Sequence, residues 1–542
     1  MKRRWIVGLT WLTVLSIALV GCTGVNTGAP ENEGSADENQ VLDMTIPAEP
    51  PTLDHSVTTD AVSFDFILNN VMDGLYRLNK DNKPEPAIAS GIDITEDKST
   101  YTFSLREANW SDGEPVTAHD FEYAWKRALD PETKAEYAFI LYPIKNAEAY
   151  NSGEVSADQV GVRAIDEKTL QVELEAPTPY FLSLTTFATY FPLREDIVDK
   201  YGNEYATGAD KMVYNGPFEV GEWKHEQSLT LKKNQSYWDR NTVKLETVNM
   251  NIVKDTSTGV NLYTAGEVDV ASLDSALADA FKKSPEYLPI TLAETQYIQF
   301  NTNNEFLSNA KIRKAISYAV DRESITKLLQ DGSEPAYSFV PPSIFTSDNQ
   351  IFREIAPDGH QYNPQEAQRL LEEGMEELGF TSKPRLTLLS FDDHRRQVAV
   401  AIQEQLKNTL DLDINIDPQP LRQKRDREAQ RDFELSFISW RADYNDPQTY
   451  LDMWVTGGPF NRADWSNKEY DKLINDSVRN PDNEERTRNY VEAEKILLEG
   501  SPVAPVFYTG KIFLQKQYVK GIYRHPVGAE LTLKWAYMDG KE

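Results

Sequence analysis

Apolar and polar residues alternate with a period of two in several short stretches, the pattern of half-buried strands. VLDMTIP (41–47), YTFSLRE (101–107), TLQVELE (169–175), SLTLKKN (228–234) and VNMNIVK (248–254) all have it. Elsewhere the period lengthens to that of a helix. In SNAKIRKAISYAVDRESITKLLQ (308–330), Ile312, Ala315, Ile316, Ala319 and Val320 share one face, with Ser308 or Asn309 as N-cap and Asp331-Gly332 as the stop. PQEAQRLLEEGMEELGF (364–380) and RQVAVAIQEQLKNTL (396–410) read as two further amphipathic helices. Strands interleaved with helices predict an α/β architecture. A chain of 542 residues exceeds what one core serves, so two or three lobes are expected.

The first forty residues follow neither pattern. MKRR is a short basic segment, and WIVGLTWLTVLSIALV (5–20) is an apolar run that ends in Leu19-Val20-Gly21-Cys22. That run suits the core of a secretory signal and falls short of the roughly 20 apolar residues of a spanning helix. A small residue before a cysteine directly after such a run resembles the bacterial lipobox, in which the cysteine is acylated and becomes the first residue after cleavage. Cys22 is the sole cysteine, so the folded part is expected to hold no disulfide and no thiolate chemistry. The following stretch TGVNTGAPENEGSADENQ (23–40) lacks aromatic residues and reads as a disordered tether. Residues 1–21 are thus expected to be a lipoprotein signal peptide and 22–40 the acylated cysteine with its tether. The expected location is the extracytoplasmic face of the cell membrane.

Charge and motifs narrow the function. A formal charge of −30 repels nucleic acid and argues against it as a partner. The chain has no G-x-S-x-G elbow, no Walker loop and no G-x-G-x-x-G, and its six histidines show no zinc spacing. SWRADYNDPQTYLDMW (439–454) places Asp443, Asp446 and Asp452 among two tryptophans and two tyrosines. A carboxylate pair for glycoside hydrolysis, Asp443 with Asp446 or Asp452, stays open on residues alone. A calcium reading of DYND lacks the glycine and the distal glutamate of an EF-hand loop. On content the chain reads as a binder more than a catalyst.

Four longer stretches carry a resemblance. LREANWSDGEPVTAHDFEYAWKRALDP (105–131), YNGPFEVGEWK (214–224) with LKKNQSYWD (231–239), FNTNNEFLSNAKIRKAISYAVDRESI (300–325) and SWRADYNDP (439–447) occur in the order found in family 5 extracellular solute-binding proteins of ABC importers. TYTFSLRE, PAYSFVPP (335–342) and APVFY (504–508) are most similar to the oligopeptide-binding type. The resemblance implies a three-lobed α/β fold of the periplasmic-binding-protein-like kind (type II, cluster C) with a hinged cleft. Residues 41–75, 199–297 and 511–542 would form lobe I, residues 76–198 lobe II and residues 298–510 lobe III. The crossings would fall near YIQFN (297–301) and PVFYTGK (505–511). It also implies a non-catalytic monomer that needs no cofactor, with an oligopeptide as ligand and ABC permease subunits as partners. The alternatives are a surface-anchored glycan hydrolase, or the same fold with a signalling or murein peptide.

By the same resemblance Asp443 would pair with the peptide's α-ammonium, the other reading being an Asx turn before Pro447. The backbone of Ser439 and Arg441 would flank it and pair with the peptide. Trp440 would wall a side-chain pocket or belong to the core. Val62 would offer backbone to the peptide, and Tyr137 and Tyr297 would face the cleft, each with a core role as the alternative. Asp446 reads as turn chemistry, and Asp452 has no assigned role. The chain departs from better-studied members at the peptide's carboxylate end. Phe437 and Leu329 stand where those members have an arginine and a lysine, and Leu421 stands in place of a cleft tryptophan. His394 is the candidate that remains, with Arg395, Arg396, or Arg422 and Lys424 of PLRQKRDR as substitutes. That last run reads more simply as a solvated helix face.

Overall fold

A computed structural model describes residues 39–393, 395–478 and 480–541. The signal segment, Cys22, most of the tether and His394 lie outside the described residues. Each strand expected from alternation is present, as Val41–Ile46, Thr100–Leu105, Thr169–Glu173, Ser228–Lys233 and Thr247–Ile252. Among the described residues the main sheet has eleven strands. Ten lie on the path Ile414–Gln419, Leu386–Phe391, Leu435–Arg441, Tyr287–Phe300, Val503–Gln515, Val270–Leu273, Val41–Ile46, Thr247–Ile252, Ser228–Lys233, Phe218–Lys224, and the eleventh, Glu334–Pro335, pairs with Val503–Gln515 off that path. Parallel pairs occur toward both ends, and Leu386–Phe391 is buried at nearly every position, as a strand covered on both faces must be.

A separate antiparallel sheet of four strands, Ala89–Ile94, Thr100–Leu105, Thr169–Glu173 and Val162–Asp166, is covered by the helix Ala118–Leu129. That helix starts in a capping box. The Thr117 N–H donates to Asp120 Oδ2 at 2.8 Å, and the Thr117 side chain accepts from the backbone one turn on. Its buried face, Phe121, Ala124, Trp125 and Ala128, joins a core shared with Leu42, Met44, Leu229 and Met250 of the main sheet. A second core lies beneath the helices Ala310–Ala319, Pro364–Leu378 and Arg396–Leu410.

The expected single helix over 308–330 is two, Ala310–Ala319 and Arg322–Leu329. Asn309 caps the first by accepting from the Lys311 N–H, and Asp321 caps the second by accepting from the Ser324 N–H. Between them the buried Arg322 guanidinium donates to the carbonyls of Ser317 and Val320 at 3.2 and 3.1 Å and to those of Ala336 and Pro505 at 2.8 Å. The apolar periodicity runs unbroken across this junction, so it conceals a cap that the sequence AVDRES contains.

Tyr287–Phe300 and Val503–Gln515 pair with each other along most of their lengths, but their register shifts between Thr291 and Thr295 and again between Gln296 and Tyr297. At the first shift Thr291 faces Gly510, whose backbone lies against a second chain segment. A Cβ at Gly510 would lie 2.0 Å from the Gly332 carbonyl carbon and 2.1 Å from the Ser333 nitrogen. Gly510→Ala is therefore expected to cost about 1–3 kcal/mol in urea unfolding, because backbone on both sides leaves nothing soft to give way.

Candidate functional site

The motif 439–454 begins within the strand Leu435–Arg441 and leaves it at Ala442. On one edge this strand runs antiparallel to Tyr287–Phe300, with Trp440 opposite Thr295, Ser439 opposite Gln296 and Ile438 opposite Tyr297. On the other edge the parallel strand Leu386–Phe391 reaches only Leu435 and Ser436. Beyond Ser436 that edge has no strand neighbour among the described residues. The Ala442 N–H donates to Ala293 O at 2.9 Å, which fixes the phase of the ladder. Alternation then turns the N–H and C=O groups of Ser439 and Arg441 toward the open edge.

Asp443 stands where this edge ends. It is half-buried, and no described residue hydrogen-bonds or ion-pairs with its carboxylate. Burial pushes its carboxyl up to about 6, with the positive charge of Arg441 pulling the other way. Arg441 itself is engaged elsewhere, since Nη1 and Nη2 each donate to the Asp65 carboxylate at 3.3 Å and Nη2 reaches Gly528 O at 3.4 Å. No Asx turn forms through the Asp443 side chain.

Asp446 and Asp452 occupy different environments. Asp446 is buried and accepts two bonds of 2.8 Å from Arg486, while its Oδ1 also accepts the Gln448 N–H at 3.0 Å. Turn chemistry is thus only part of its role, because it is the counter-charge of a buried arginine. Asp452 is pushed up to about 7 by burial, with a hydrogen bond from Gln448 lowering it and the charges of Asp443 and Asp446 raising it further.

Aromatic side chains surround this turn. Tyr444 stacks on Tyr180 at 4.2 Å with planes 8° apart, and Gln448 Nε2 donates to the Tyr180 hydroxyl at 3.2 Å. Tyr137 is half-buried beside Phe64, Phe187 and Phe139, with centroids 5.8, 5.5 and 5.6 Å away. Burial and then the negative charge of Asp443 hold its phenol above the ordinary value, so the two groups lie in one field. Trp440 packs edge-on to Phe460 at 5.0 Å, and its buried indole Nε1 has no partner. Tyr297 is a core residue, edge-on to Phe339 and Trp454 at 5.0 and 6.0 Å.

Lys424 departs from the expectation and Asp65 lay outside it, while Val62 remains a candidate. Val62 is buried at the start of a helical turn. Its N–H donates to Asp60 Oδ1 at 2.9 Å, and φ −67° with ψ −41° starts the helical turn that continues through Ser63–Leu68. Lys424 does not lie on a solvated face. Most of the helix Leu421–Ala429 is exposed, but Lys424 and Glu428 turn inward as a buried ion pair. Asp65 was missed, although an acid within the apolar run SFDFIL signals a buried partner. Phe437 and Leu329 are both core residues, so neither supplies a charge.

The model of the family described as "Bacterial extracellular solute-binding proteins, family 5 Middle" matches residues 83–462. The chain belongs to this family. The family 5 protein is 40% identical over 543 residues to the dipeptide-binding protein DppE of Bacillus subtilis, covering 99% of each chain. It is 35% identical to the oligopeptide-binding protein OppA of the same organism, over 99% of this chain and all of that one. Among solved structures it is similar to OppA of Listeria monocytogenes bound to peptide, with a TM-score of 0.74, 36% identity and coverage of 93% of this chain and 100% of the other. Its fold is the periplasmic-binding-protein-like α/β one with a cleft between lobes, and it is a solute-binding protein, not an enzyme. A hydrolytic pair built on Asp443 finds no support in this family.

The two acids should separate cleanly on substitution. Asp446→Ala strands Arg486 in a buried site and is expected to cost about 3–5 kcal/mol in denaturant unfolding. Asp443→Asn should stabilise the free protein at pH 7. A carboxyl raised from 3.8 to about 6 is destabilising while ionised in the fold, so the gain should vanish as pH falls below about 4.

Proposed function

We propose that the protein is a lipid-anchored receptor that captures oligopeptides outside the membrane and delivers them to an ABC permease. The observation that carries this reading is the open edge of Leu435–Arg441 ending beside the unpaired carboxylate of Asp443. An extended peptide adds to such an edge as a strand, and its main-chain groups, present in every sequence, bond to Ser439 and Arg441. Its α-ammonium then neutralises Asp443 in a site where water screens poorly, which makes the pair stronger than on a surface. Trp440 and Tyr137 bound the space for side chains beside that anchor. The names of the two Bacillus relatives, a dipeptide-binding and an oligopeptide-binding protein, support the same ligand class.

Closure over the ligand divides the chain into lobes, with residues 41–75, 199–297 and 511–542 in the first, 76–198 in the second and 298–510 in the third. The register shift at Thr291–Thr295, opposite Tyr508 and Gly510, is a ready place for the long strands to flex. Cys22 carries the lipid, and residues after it tether the fold to the membrane.

Calorimetry with tri- to pentapeptides tests the anchor. N-acetylation is expected to weaken binding by more than about tenfold, the equivalent of losing a charge-assisted hydrogen bond. Equal affinity for acetylated and free peptides would remove Asp443 from its role. Affinity for free-amine peptides should fall about tenfold per pH unit below about 6, because the carboxyl must release its proton before it can pair with the ammonium. Asp443→Asn should abolish that slope. For the lipid, intact-mass spectrometry of membrane-extracted protein should show acylation at Cys22, and Cys22→Ala should move the protein out of the membrane fraction.

A further inference from the structure

A groove of about 700 Å³ opens where the helices Pro364–Leu378 and Arg396–Leu410 end. Both helices stop at a residue in the left-handed region, Gly379 with φ 75° and Asp411 with φ 49°. The chain then turns back into the parallel strands Leu386–Phe391 and Ile414–Gln419. The strand that leads to Asp443 runs parallel to Leu386–Phe391. Asp443 follows the C-terminal end of its strand, whereas the groove precedes the N-terminal ends of the neighbouring two. The two places therefore lie at opposite ends of this part of the sheet, about 20 Å apart for a strand of six residues.

The floor of the groove is apolar. Leu371 and Leu410 are buried, and the half-buried Met375 and Phe380 complete it. Phe380 is held edge-on to Phe306 with centroids 5.2 Å apart. The charges on the rim do not balance. Lys383 Nζ lies 3.8 Å from Asp411, and Lys407 binds Asp411 at 2.6 Å and Asp413 at 2.9 Å, so these four charges cancel. Glu372 and Glu376 also line the groove, and neither carboxylate has a partner among the described residues. They stand one turn apart on one helix face, where like charges repel. They also occupy the last two turns, beside the negative end of the helix dipole, and the last turn has no basic residue to offset them. Elsewhere on the same helix Glu366, Glu373 and Glu377 are each paired with Arg369 or Lys311. The helix is matched in charge except at the groove, where two acids sit against local preference over an apolar floor. Such a breach of local rules marks a binding site when a ligand supplies the missing charge.

We propose that this groove binds a linear diamine, a short methylene chain with an ammonium at each end. Each ammonium meets one of the two unmatched carboxylates, and the methylenes lie over Met375 and Phe380, whose ring also attracts a cation. Carboxylates one helical turn apart, with Cβ atoms about 5–6 Å from each other, suit ammoniums separated by about four or five methylenes. The volume falls in the range of small-molecule sites, about 300–1,000 Å³. A metal ion would leave the apolar floor unused, and a monoamine would leave one carboxylate unmatched. The groove shares no residue with the strand edge at Ser439 and Arg441, so the proposal stands apart from the peptide reading.

Calorimetry at low ionic strength with putrescine and cadaverine tests the site, with butylamine, pentanediol and magnesium chloride as controls. One of the diamines is expected to bind at least tenfold more tightly than butylamine, and the diol and magnesium no better than butylamine. Glu372→Gln combined with Glu376→Gln should cost at least tenfold in diamine affinity. The same double variant should raise the melting temperature of the free protein, since it removes a repulsion at a helix end, and leave peptide affinity within twofold. Asp443→Asn should leave diamine affinity unchanged, which separates this site from the carboxylate at the strand edge. Diamine binding that survives the double substitution, or that is lost in Asp443→Asn, overturns the proposal. Equal binding of butylamine and both diamines overturns it too. If no diamine binds but an N-acetylated lysine-rich peptide does, with loss in the double variant, the groove takes a basic protein segment and the diamine proposal falls.

Discussion

Tyr287–Phe300 and Val503–Gln515 hold each other across both halves of the main sheet, and nearly every other arrangement is placed by that ladder. One side of Tyr287–Phe300 fixes the register of Leu435–Arg441, which sets which backbone groups point outward at Ser439 and Arg441. One side of Val503–Gln515 receives Val270–Leu273, beyond which the Val41–Ile46 strand and its neighbours follow. A strand pair of this length must either bend or shift register to serve two halves. Here it shifts, and the shift sits against Gly510, where backbone meets backbone too closely for any side chain.

The electrostatics around the turn at Asp443 follow from leaving selected groups unmatched. Asp446 and Arg441 have partners, Arg486 and Asp65, and these pairs hold the turn and strand in place. Asp443 has none, and it is destabilising in the free protein because burial disfavours its charge. In the role proposed for Asp443, affinity would be gained by relieving a cost already present in the free protein, so stability and function would oppose each other at that residue.

The regular elements were legible because period carries them. Every strand named from alternation formed, as did the helices Pro364–Leu378 and Arg396–Leu410. The motif around Asp443 was legible as a motif, and the family match followed it. What stayed hidden was partnership between distant residues. PLRQKRDR is polar throughout, so nothing local marks Lys424 as the residue that turns inward to Glu428. Asp446 precedes a proline, and that local cue hides Arg486, which arrives from another helix. At Val62 the local cue lay in Asp60, whose side chain takes the N–H and begins a helical turn.

The flush stack of Tyr180 on Tyr444 joins the four-stranded-sheet region to the turn that carries Asp443. Tyr180 lies far from the motif in sequence, yet a change there alters the seat of the residue next to Asp443. Drift at these two positions is therefore coupled. A lineage that loses one tyrosine would be under selection to replace the other, so a region outside the main sheet constrains the conformation of the turn at Asp443.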